Sequence, residues 1–432
     1  MQPIRDNSRV LTAAMVGTTV EYYDFFIYGT AAALVFGPLF FPAESPAAQT
    51  LLAFLSFGLA FFARAFGALV FGHFGDRIGR KSTLVLSLMI MGGSTLAIAF
   101  LPTYAMIGWM APALLCLMRF GQGFGLGGEW SGAALLAIEN APRGWEARFG
   151  AAPQLGVPAG FFAANVMFMG LTWWLTDEEF ADWGWRVPFV ASAVLVFIGL
   201  WVRKRIGETP QFKEAMEREP PVRVPFVDLM RGHIGTVLAG AAGVIVVYAT
   251  FYIATAWALA ETTGPLGYDR GSILAIQLVA NVTMTGGIVL AAWMGDRSSP
   301  ANALSIGALG VAAMGLVFGA GLAAGSLWVV ALTLCVTMFF MGMTNGPLGA
   351  FLTHLFPVRL RFSGVAFAFN FGGIVGGAVT PTLAQLLTVE GLGAWAGLLI
   401  TATALLSLAG FRLAKPVVPT GKNEGTSPGV PV

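Results

Sequence analysis

The sequence predicts an all-α membrane protein whose twelve transmembrane helices form two pseudo-symmetric six-helix bundles. Three observations support this fold class. Of the 432 residues, 56% are hydrophobic and 11% are charged, whereas an average soluble domain has about 25% charged residues. Apolar runs of about 20 residues, each long enough to cross a bilayer, recur along the whole chain. The two halves of the chain also repeat each other's motifs.

The apolar runs are bounded by charged residues, proline or glycine. They are too long for the strands of a membrane barrel, and helices are the other structure that satisfies its backbone inside lipid. The twelve predicted spans lie near residues 10–36, 50–72, 83–101, 107–139, 149–174, 185–202, 233–258, 272–293, 302–322, 326–350, 363–387 and 393–413.

The basic residues between the spans predict the orientation of the chain. Apart from Arg64 and Arg119, which lie inside spans, all of them except Arg186 and Arg270 fall on one face, together with both termini. Positively charged loops favour the cytoplasmic side. We therefore expect a multi-pass protein of the cell inner membrane with both termini in the cytoplasm.

A long polar stretch divides the chain into two halves of six spans. We expect an N-terminal bundle at residues 1–202, a cytoplasmic central loop at 203–232, a C-terminal bundle at 233–413 and a short cytoplasmic tail at 414–432.

The two halves share motifs in the same order. The tripeptide GDR at 75–77 recurs at 295–297, and LLCLMRFGQGFG aligns with TLCVTMFFMGMT so that Gly123 pairs with Gly342. PRGWEARFG in the first half corresponds to PVRLRFSG in the second, again about 220 residues later. A parallel repeat of this kind builds transporters whose binding site lies between the halves.

Two carboxylates, Glu21 and Asp24, lie in the first span. A charge at mid-membrane costs about 2.5–3.5 kcal/mol, while each large apolar residue contributes only about 0.3–0.6 kcal/mol. Arg64 in span two and Arg119 in span four are the expected partners. Intramembrane charges indicate function by default, so we predict proton coupling by Glu21, Asp24, Arg64, Arg119 and Glu129. Static salt bridges that fix the helix register are the alternative.

Span four has a polar stripe and many glycines. Arg119, Gln122 and Glu129 fall at i, i+3 and i+10, which places them on one side of a helix. The glycines at 121, 123, 125, 127 and 128 are expected to allow close helix approach.

Spans seven to twelve are expected to contain no buried charge, so the polar residues of the second half are candidates for recognising the substrate. This division predicts proton handling in the first half and recognition of substrate shape and hydroxyl groups in the second. Each amide or aromatic residue could instead hold helices together. The predicted substrate-binding residues are Tyr28, Arg119, Gln122, Tyr248, Tyr252, Gln277, Asn281, Asn345 and Asn370.

Other classes of protein lack support in the sequence. There is neither a GxxxxGK phosphate loop nor an HExxH motif, so neither direct drive by ATP nor an enzyme is expected. The two cysteines lie in apolar segments and the three histidines lack metal-ligand spacing, so no cofactor or metal is expected. The net charge of +2 is too small and too dispersed for nucleic-acid binding. The expected partners are a small solute, protons and the lipid bilayer, and we expect a monomer.

Several motifs support a family resemblance. GHFGDRIGRK at 72–81 resembles the signature of the major facilitator superfamily, and EYYDF, RFGQG, GGEW, WGWRVPF and ETP resemble its metabolite:proton symporter family. The first half is most similar to the shikimate-type branch. The second half departs from that branch at Asn345-Gly346-Pro347 and at Phe369-Asn370.

The resemblance also implies a gating latch in the loop after span two and in its repeat after span eight. Acidic and basic residues there are expected to pair with each other or with a helix end when the inner face is closed. The implied gating residues are Gly72, Asp76, Arg77, Arg80, Glu139, Arg143, Asp296 and Arg297.

We therefore expect a secondary active transporter that imports a small polar organic metabolite by proton symport through alternating access. The expected metabolite is an organic acid, such as a shikimate-like monocarboxylate or a dicarboxylate. Alternatives remain open: an importer of a zwitterion of the proline or betaine type, a proton-coupled exporter, a passive facilitator, or a non-transporting membrane sensor.

Overall fold

The computed structural model describes most of the chain, and its helices are labelled α1 to α12. It describes residues 5, 7–43, 45–78, 80–127, 129–205, 229, 231–357 and 360–414. Within these ranges, the side chains at 9, 10, 13, 72–78, 80–84, 129–131, 136 and 201–205 are not described.

The first half of the chain supplies six helices. Short helices at Tyr104–Ile107, Asp177–Asp182 and Gly184–Arg186 lie in its connections. The six helices are α1 (Ser8–Ala31, a π-helical turn at Ala32–Phe36, and Gly37–Phe40), α2 (Pro46–Ile78), α3 (Arg80–Ala99), α4 (Met110–Leu126 and Glu129–Glu139), α5 (Glu146–Trp174) and α6 (Val187–Arg205).

The second half supplies six more helices, of which two contain a π-helical turn. A 3-10 turn at Gly393–Trp395 precedes the last helix. The six are α7 (Ile234–Tyr252, a π-helical turn at Ile253–Trp257, and Ala258–Thr263), α8 (Arg270–Arg297), α9 (Pro300–Leu322), α10 (Leu327–Asn345 and Leu348–Leu355), α11 (Arg361–Gly373, a π-helical turn at Ile374–Val379, and Thr380–Val389) and α12 (Ala396–Leu413).

Among the described residues, nine helices are long and apolar enough to cross a membrane: α1, α2, α5 and α7 to α12. Shorter apolar stretches, Val85–Ala99 and Gly184–Leu200, belong to α3 and α6. Within the run expected over 107–139, α4 is described as helix over Met110–Leu126 and Glu129–Glu139, and residue 128 between them lies outside the described residues. The expected central loop at 203–232 falls largely on residues outside the described ranges, and so does the tail beyond residue 414.

Glycines let paired helices approach until their backbones touch. A Cβ atom at Gly67 of α2 would lie 2.0 Å from the carbonyl oxygen of Phe124 in α4, and one at Gly123 would lie 2.2 Å from that of Ala60. The same pattern joins α8 to α10, where Cβ atoms at Gly287 and Gly342 would lie 2.0 and 2.1 Å from backbone oxygens. Close approach is thus confirmed for the span-four glycines at 121, 123, 125 and 127, while Gly128 lies outside the described residues. The paired positions follow the sequence repeat.

This packing makes a stability prediction. In Gly67→Ala the added methyl group must push α2 away from the α4 backbone, and overpacking of this kind costs about 1–3 kcal/mol. We expect a lower midpoint of thermal unfolding for the purified protein in detergent micelles. Gly93→Ala in α3 is the matched control because a Cβ atom there meets nothing within 4 Å. An equal midpoint for the two variants would contradict tight α2–α4 packing.

Candidate functional site

The two halves meet around a small cavity at the centre of the helical bundle. Its volume is about 20 Å³, which is room for about one water molecule. The residues that line it include Tyr22 and Phe26 of α1, Val157 of α5, Tyr248 and Tyr252 of α7, Asn345 of α10 and Phe369 of α11. A metabolite therefore fits only after the halves move apart.

Asp24 is 1% exposed and lies inside the first half. Its carboxylate accepts hydrogen bonds from the hydroxyl groups of Ser192 in α6 and Thr95 in α3, with Thr95 Oγ1 3.2 Å from Asp24 Oδ2. The Thr95 hydroxyl hydrogen is shared with the backbone carbonyl of Met91 at 3.0 Å. Among the described residues no arginine forms an ion pair with Asp24.

Arg119 reaches Asp24 through two intervening side chains. Its Nη1 donates to Gln122 Oε1 at 3.0 Å, and Gln122 Nε2 donates to Thr95 Oγ1 at 2.7 Å. The expected pairing of Arg119 with a span-one carboxylate is thus indirect. A continuous chain of hydrogen bonds connects Arg119, Gln122, Thr95 and Asp24.

Aromatic rings enclose the Arg119 guanidinium, which is fully buried. Its Cζ atom lies 4.1 Å from the ring centroids of Phe25 and Tyr28 and 4.7 Å from that of Phe57. The negative faces of aromatic rings attract a cation that has been removed from water. The Tyr28 hydroxyl is itself held by Ser56, with the two oxygens 2.7 Å apart.

Glu21 and Arg64, in contrast to Asp24 and Arg119, form a direct buried ion pair. Arg64 Nη2 lies 3.8 Å from Glu21 Oε1, and the two side chains are 3% and 2% exposed. The Arg64 Cζ atom lies 5.4 Å from the ring centroid of Phe369 in α11, so the pair is adjacent to the second half. The expected partnership of Arg64 with a span-one carboxylate is present in the structure.

The predicted substrate-binding residues of the second half divide into two groups. Tyr248, Tyr252 and Asn345 line the cavity, where the two tyrosine rings stack with an angle of 9° between their planes. The other amides bond to backbone carbonyls: Gln277 to Thr255, Asn281 to Pro158, and Asn370 to Ala366, at 2.7–2.8 Å. Asn281 therefore joins α8 to α5 across the two halves.

The expectation that spans seven to twelve contain no buried charge is wrong. Glu261 is 8% exposed and accepts a 2.6 Å hydrogen bond from Thr388 in α11. Trp257 Nε1 donates to the same hydroxyl group at 3.1 Å. Glu261 was missed because α7 continues to Thr263, beyond the predicted end of span seven at residue 258.

Asp296 forms a contact between the halves at the face that is predicted to be cytoplasmic, here called the inner face. Its carboxylate accepts hydrogen bonds from the Arg148 side chain and, at 2.8 Å, from the backbone N–H of Ala147. The first N–H groups of a helix have no partner inside the helix, and a carboxylate near them is stabilised by the helix dipole. Asp296 of α8 thus closes onto the start of α5.

The remaining predicted gating residues make no such contact among the described residues. Glu139 and Arg143 are exposed. Arg297 is exposed and stacks on Trp293, with its Cζ atom 4.0 Å from the ring centroid. The side chains of Asp76, Arg77 and Arg80 lie outside the described residues, and Gly72 has no side chain to make such a contact. The side chain of Glu129, predicted for proton coupling, is also outside the described residues.

The opposite, outer face is joined by an ion pair. Arg270 Nη1 lies 3.3 Å from Asp177 Oδ1. Each of the two residues is the first residue of a capped helix. The helix that begins at Asp177 has a capping box formed by Thr176 and Glu179, and in the helix that begins at Arg270 the N-cap Asp269 accepts a hydrogen bond from the Ser272 N–H. The same Ser272 backbone N–H holds the pKa of Asp269 below its usual value.

Sequence reasoning missed Ser192, Thr95 and Arg148. The two hydroxyl residues have no signal in the sequence, since serine and threonine are common in membrane helices. Arg148 does have a signal in the sequence, because it lies in PRGWEARFG, one of the motifs that recur in the second half.

Comparisons with known proteins agree with this architecture. The family model described as "Sugar (and other) transporter" matches residues 10–219. The inner membrane metabolite transport protein YhjE of Escherichia coli is 43% identical over 95% of this chain and 94% of its own length. The shikimate transporter of E. coli is 36% identical over 92% of this chain and 94% of its own length.

Solved structures show the same fold at low sequence identity. The crystal structure of a D-xylose-proton symporter superimposes with a TM-score of 0.72, covering 92% of this chain and 96% of that one, at 17% identity. A partially occluded, inward-open form of the xylose transporter XylE from E. coli has a TM-score of 0.72 over 96% of this chain and 99% of that one, at 16% identity. The chain therefore belongs to the metabolite:proton symporter family of the major facilitator superfamily and is an inner-membrane transporter, not an enzyme.

Proposed function

We propose that the protein imports a small hydroxylated organic acid together with protons, by alternating access between two six-helix bundles. In this proposal the protein acts as a monomer with both termini in the cytoplasm. The observation that carries the proposal is the buried carboxylate of Asp24, connected through Thr95 and Gln122 to the buried guanidinium of Arg119.

The surroundings of Asp24 suit a group that gains and loses a proton. Hydroxyl groups donate to an ionised carboxylate and accept from a protonated one, so Ser192 and Thr95 satisfy both forms. Burial favours the neutral form, while a nearby cation favours the charged form. Arg119, two side chains away, supplies that cation without a direct ion pair that protonation would break.

The contacts at the two faces are the elements that alternating access must break in turn. Opening the inner face separates Asp296 from Arg148 and Ala147. Opening the outer face separates Asp177 from Arg270. The outer pair is the more exposed, with Asp177 86% exposed, and exposed ion pairs contribute only about 0–1 kcal/mol. The structure therefore favours easier opening towards the outside.

A proton gradient supplies sufficient energy for accumulation. One proton releases about 1.4 kcal/mol per pH unit and a further 2.3 kcal/mol or so per 100 mV of membrane potential. Because a monocarboxylate carries one negative charge, symport with one proton is electroneutral and uses the pH gradient alone. Since about 1.4 kcal/mol corresponds to a tenfold concentration ratio, one coupled proton supports about tenfold uptake per pH unit, and the membrane potential contributes only if further protons give the translocated complex a net positive charge.

The cavity supports a hydroxylated acid as the substrate. Tyr22, Tyr248, Tyr252 and Asn345 are among the residues that line it, and hydroxyl and amide side chains of this kind suit the hydroxyl groups of a ligand. A relative that is 36% identical is a shikimate transporter. The second candidate is a zwitterion such as betaine, because aromatic rings also attract a quaternary ammonium group; a proline/betaine transporter of Salmonella typhimurium is 28% identical over 88% of this chain.

The proton-carrier role of Asp24 predicts the effect of Asp24→Asn, which keeps the size of the side chain and removes its charge. Proteoliposomes loaded with a trapped pH dye should acidify on addition of shikimate with the wild-type protein, and at least about tenfold more slowly with the variant. Exchange of labelled shikimate across the membrane should persist, because exchange needs no net proton movement.

The matched control is Glu178→Gln, which removes an exposed carboxylate on the outer face and should leave acidification unchanged. Acidification by Asp24→Asn at the wild-type rate would exclude Asp24 as the carrier. Uptake of shikimate without acidification in the wild-type protein would instead indicate a passive facilitator.

The inner-face contact predicts a change in accessibility. In Asp296→Asn the charge-assisted bond from Arg148 is lost, and such bonds contribute about 1.5–3 kcal/mol. A cysteine placed at Val157, which lines the cavity, should react about tenfold faster with an impermeant thiol reagent in inside-out vesicles. Cys116 and Cys335 are replaced by serine in all variants.

Arg297→Gln is the control for this prediction, since Arg297 is exposed and stacks on Trp293 of its own helix. Its labelling rate should equal that of the parent, the protein with the cysteine at Val157 and no change at Asp296 or Arg297. Equal rates in Asp296→Asn and the parent would show that Asp296 does not hold the inner face closed.

A further inference from the structure

We propose that Arg64, and not Arg119, binds the carboxylate group of the transported solute. This inference rests on the proposed import of an organic acid. It assigns different roles to the two buried arginines: Arg119 belongs to the proton site, and Arg64 belongs to the substrate site.

Arg64 has hydrogen-bond donors to offer. Its side chain is 3% exposed, and neither Nε nor Nη2 has a hydrogen-bond partner among the described residues. The contact of Nη2 with Glu21, at 3.8 Å, is longer than a hydrogen bond. A buried donor without a partner is unfavourable, and a guanidinium presents paired N–H groups that match a carboxylate. An incoming carboxylate would satisfy both nitrogens.

Arg64 also lies beside the cavity between the halves. Its Cζ atom is 5.4 Å from the ring centroid of Phe369, which lines the cavity. One turn away on α2, the ring of Phe61 packs at 5.6 Å against both Tyr248 and Tyr252 of the cavity wall. Arg64 therefore lies where a solute in the cavity would meet α2.

Arg119 is enclosed by contrast. Its Nη1 and Nε donate to Gln122 and to the backbone carbonyl of Phe57. Its Nη2 has no partner among the described residues, but the rings of Phe25, Tyr28 and Phe57 lie within 4.7 Å of Cζ. A solute carboxylate could reach Arg119 only by displacing these rings and the chain to Asp24.

The geometry also connects substrate binding to the carboxylate of Glu21. A solute that takes the Nη2 side of Arg64 replaces Glu21 there, so the ion pair and the bound solute exclude each other. Tyr22, Tyr248 and Asn345 line the cavity where the rest of the solute would lie. The two candidate solutes, an organic acid anion and a zwitterion such as betaine, both contain a carboxylate, and the test below distinguishes between them.

The experiment is calorimetric binding to the purified full-length protein in lipid nanodiscs. The probes are shikimate, its uncharged methyl ester and glycine betaine. The wild-type protein should bind one of the two carboxylate probes, shikimate or glycine betaine, at least about tenfold more tightly than the ester. A preference for shikimate indicates an anion site, and a preference for betaine indicates a zwitterion site. In Arg64→Gln the ratio should fall to about one, because the remaining contacts with the uncharged part of the solute are unchanged.

Arg119→Gln is the matched variant, since it also removes a buried guanidinium, and it should keep the ratio. Arg64→Lys keeps the charge but not the paired donors, so it should weaken binding of the carboxylate probe and leave ester binding unchanged. The lysine variant decides the question if Arg64→Gln does not fold.

Three results would overturn the proposal. The first is an unchanged ratio of carboxylate to ester affinity in Arg64→Gln or, if only the lysine variant folds, an unchanged carboxylate affinity in Arg64→Lys. The second is loss of that ratio in Arg119→Gln alone, and the third is that the wild-type protein binds neither carboxylate probe. Failure of proton coupling is recognised separately. Solute uptake without acidification of the vesicles would refute symport while leaving the binding ratios as they are.

Discussion

The rest of the structure depends on how the first half accommodates ionisable groups that are buried away from the protein surface. Asp24 and Arg119 are both at most 1% exposed, and an isolated charge in such a place is unfavourable. The protein does not pair them directly. It connects them through Gln122 and Thr95, while Ser192 satisfies the second carboxylate oxygen and three aromatic rings surround the guanidinium. Each charged group is therefore compensated mainly by dipoles and rings.

Backbone packing makes this arrangement possible. Gly123 and Gly67 allow α4 to lie directly against α2, which places Arg119 beside the Phe57 ring and its backbone carbonyl. A larger residue at either glycine would separate the helices and move Arg119 relative to Thr95. In the second half the corresponding glycines pack α8 against α10, but Met338 stands where Arg119 would be. The two halves share a scaffold, and only the first has an arginine at this position.

Both faces of the molecule are closed by contacts between the halves. The inner contact combines a carboxylate, an arginine and a helix terminus, whereas the outer contact is an exposed ion pair. The central cavity, about 20 Å³, is too small for a metabolite. The small volume is therefore sufficient to link solute binding to helix movement, whatever the chemistry of the solute. The proposed exchange of Glu21 for a solute carboxylate at Arg64 adds a chemical link between the solute and α1.

The sequence by itself predicted the helical segments, nine of which are long and apolar enough to cross a membrane among the described residues, together with the repeat and the presence of buried charge in α1, α2 and α4. These features depend on composition and spacing, because a bilayer imposes the same length and hydrophobicity on every helix. It also identified Arg64 as a partner for a span-one carboxylate. The tertiary structure alone decided that Ser192 and Thr95 hold Asp24, that Arg148 meets Asp296, and that Glu261 is buried against Thr388. These partners lie between 71 and 168 residues apart in the chain, and hydroxyl groups leave no periodic pattern, so only helix packing could bring them together.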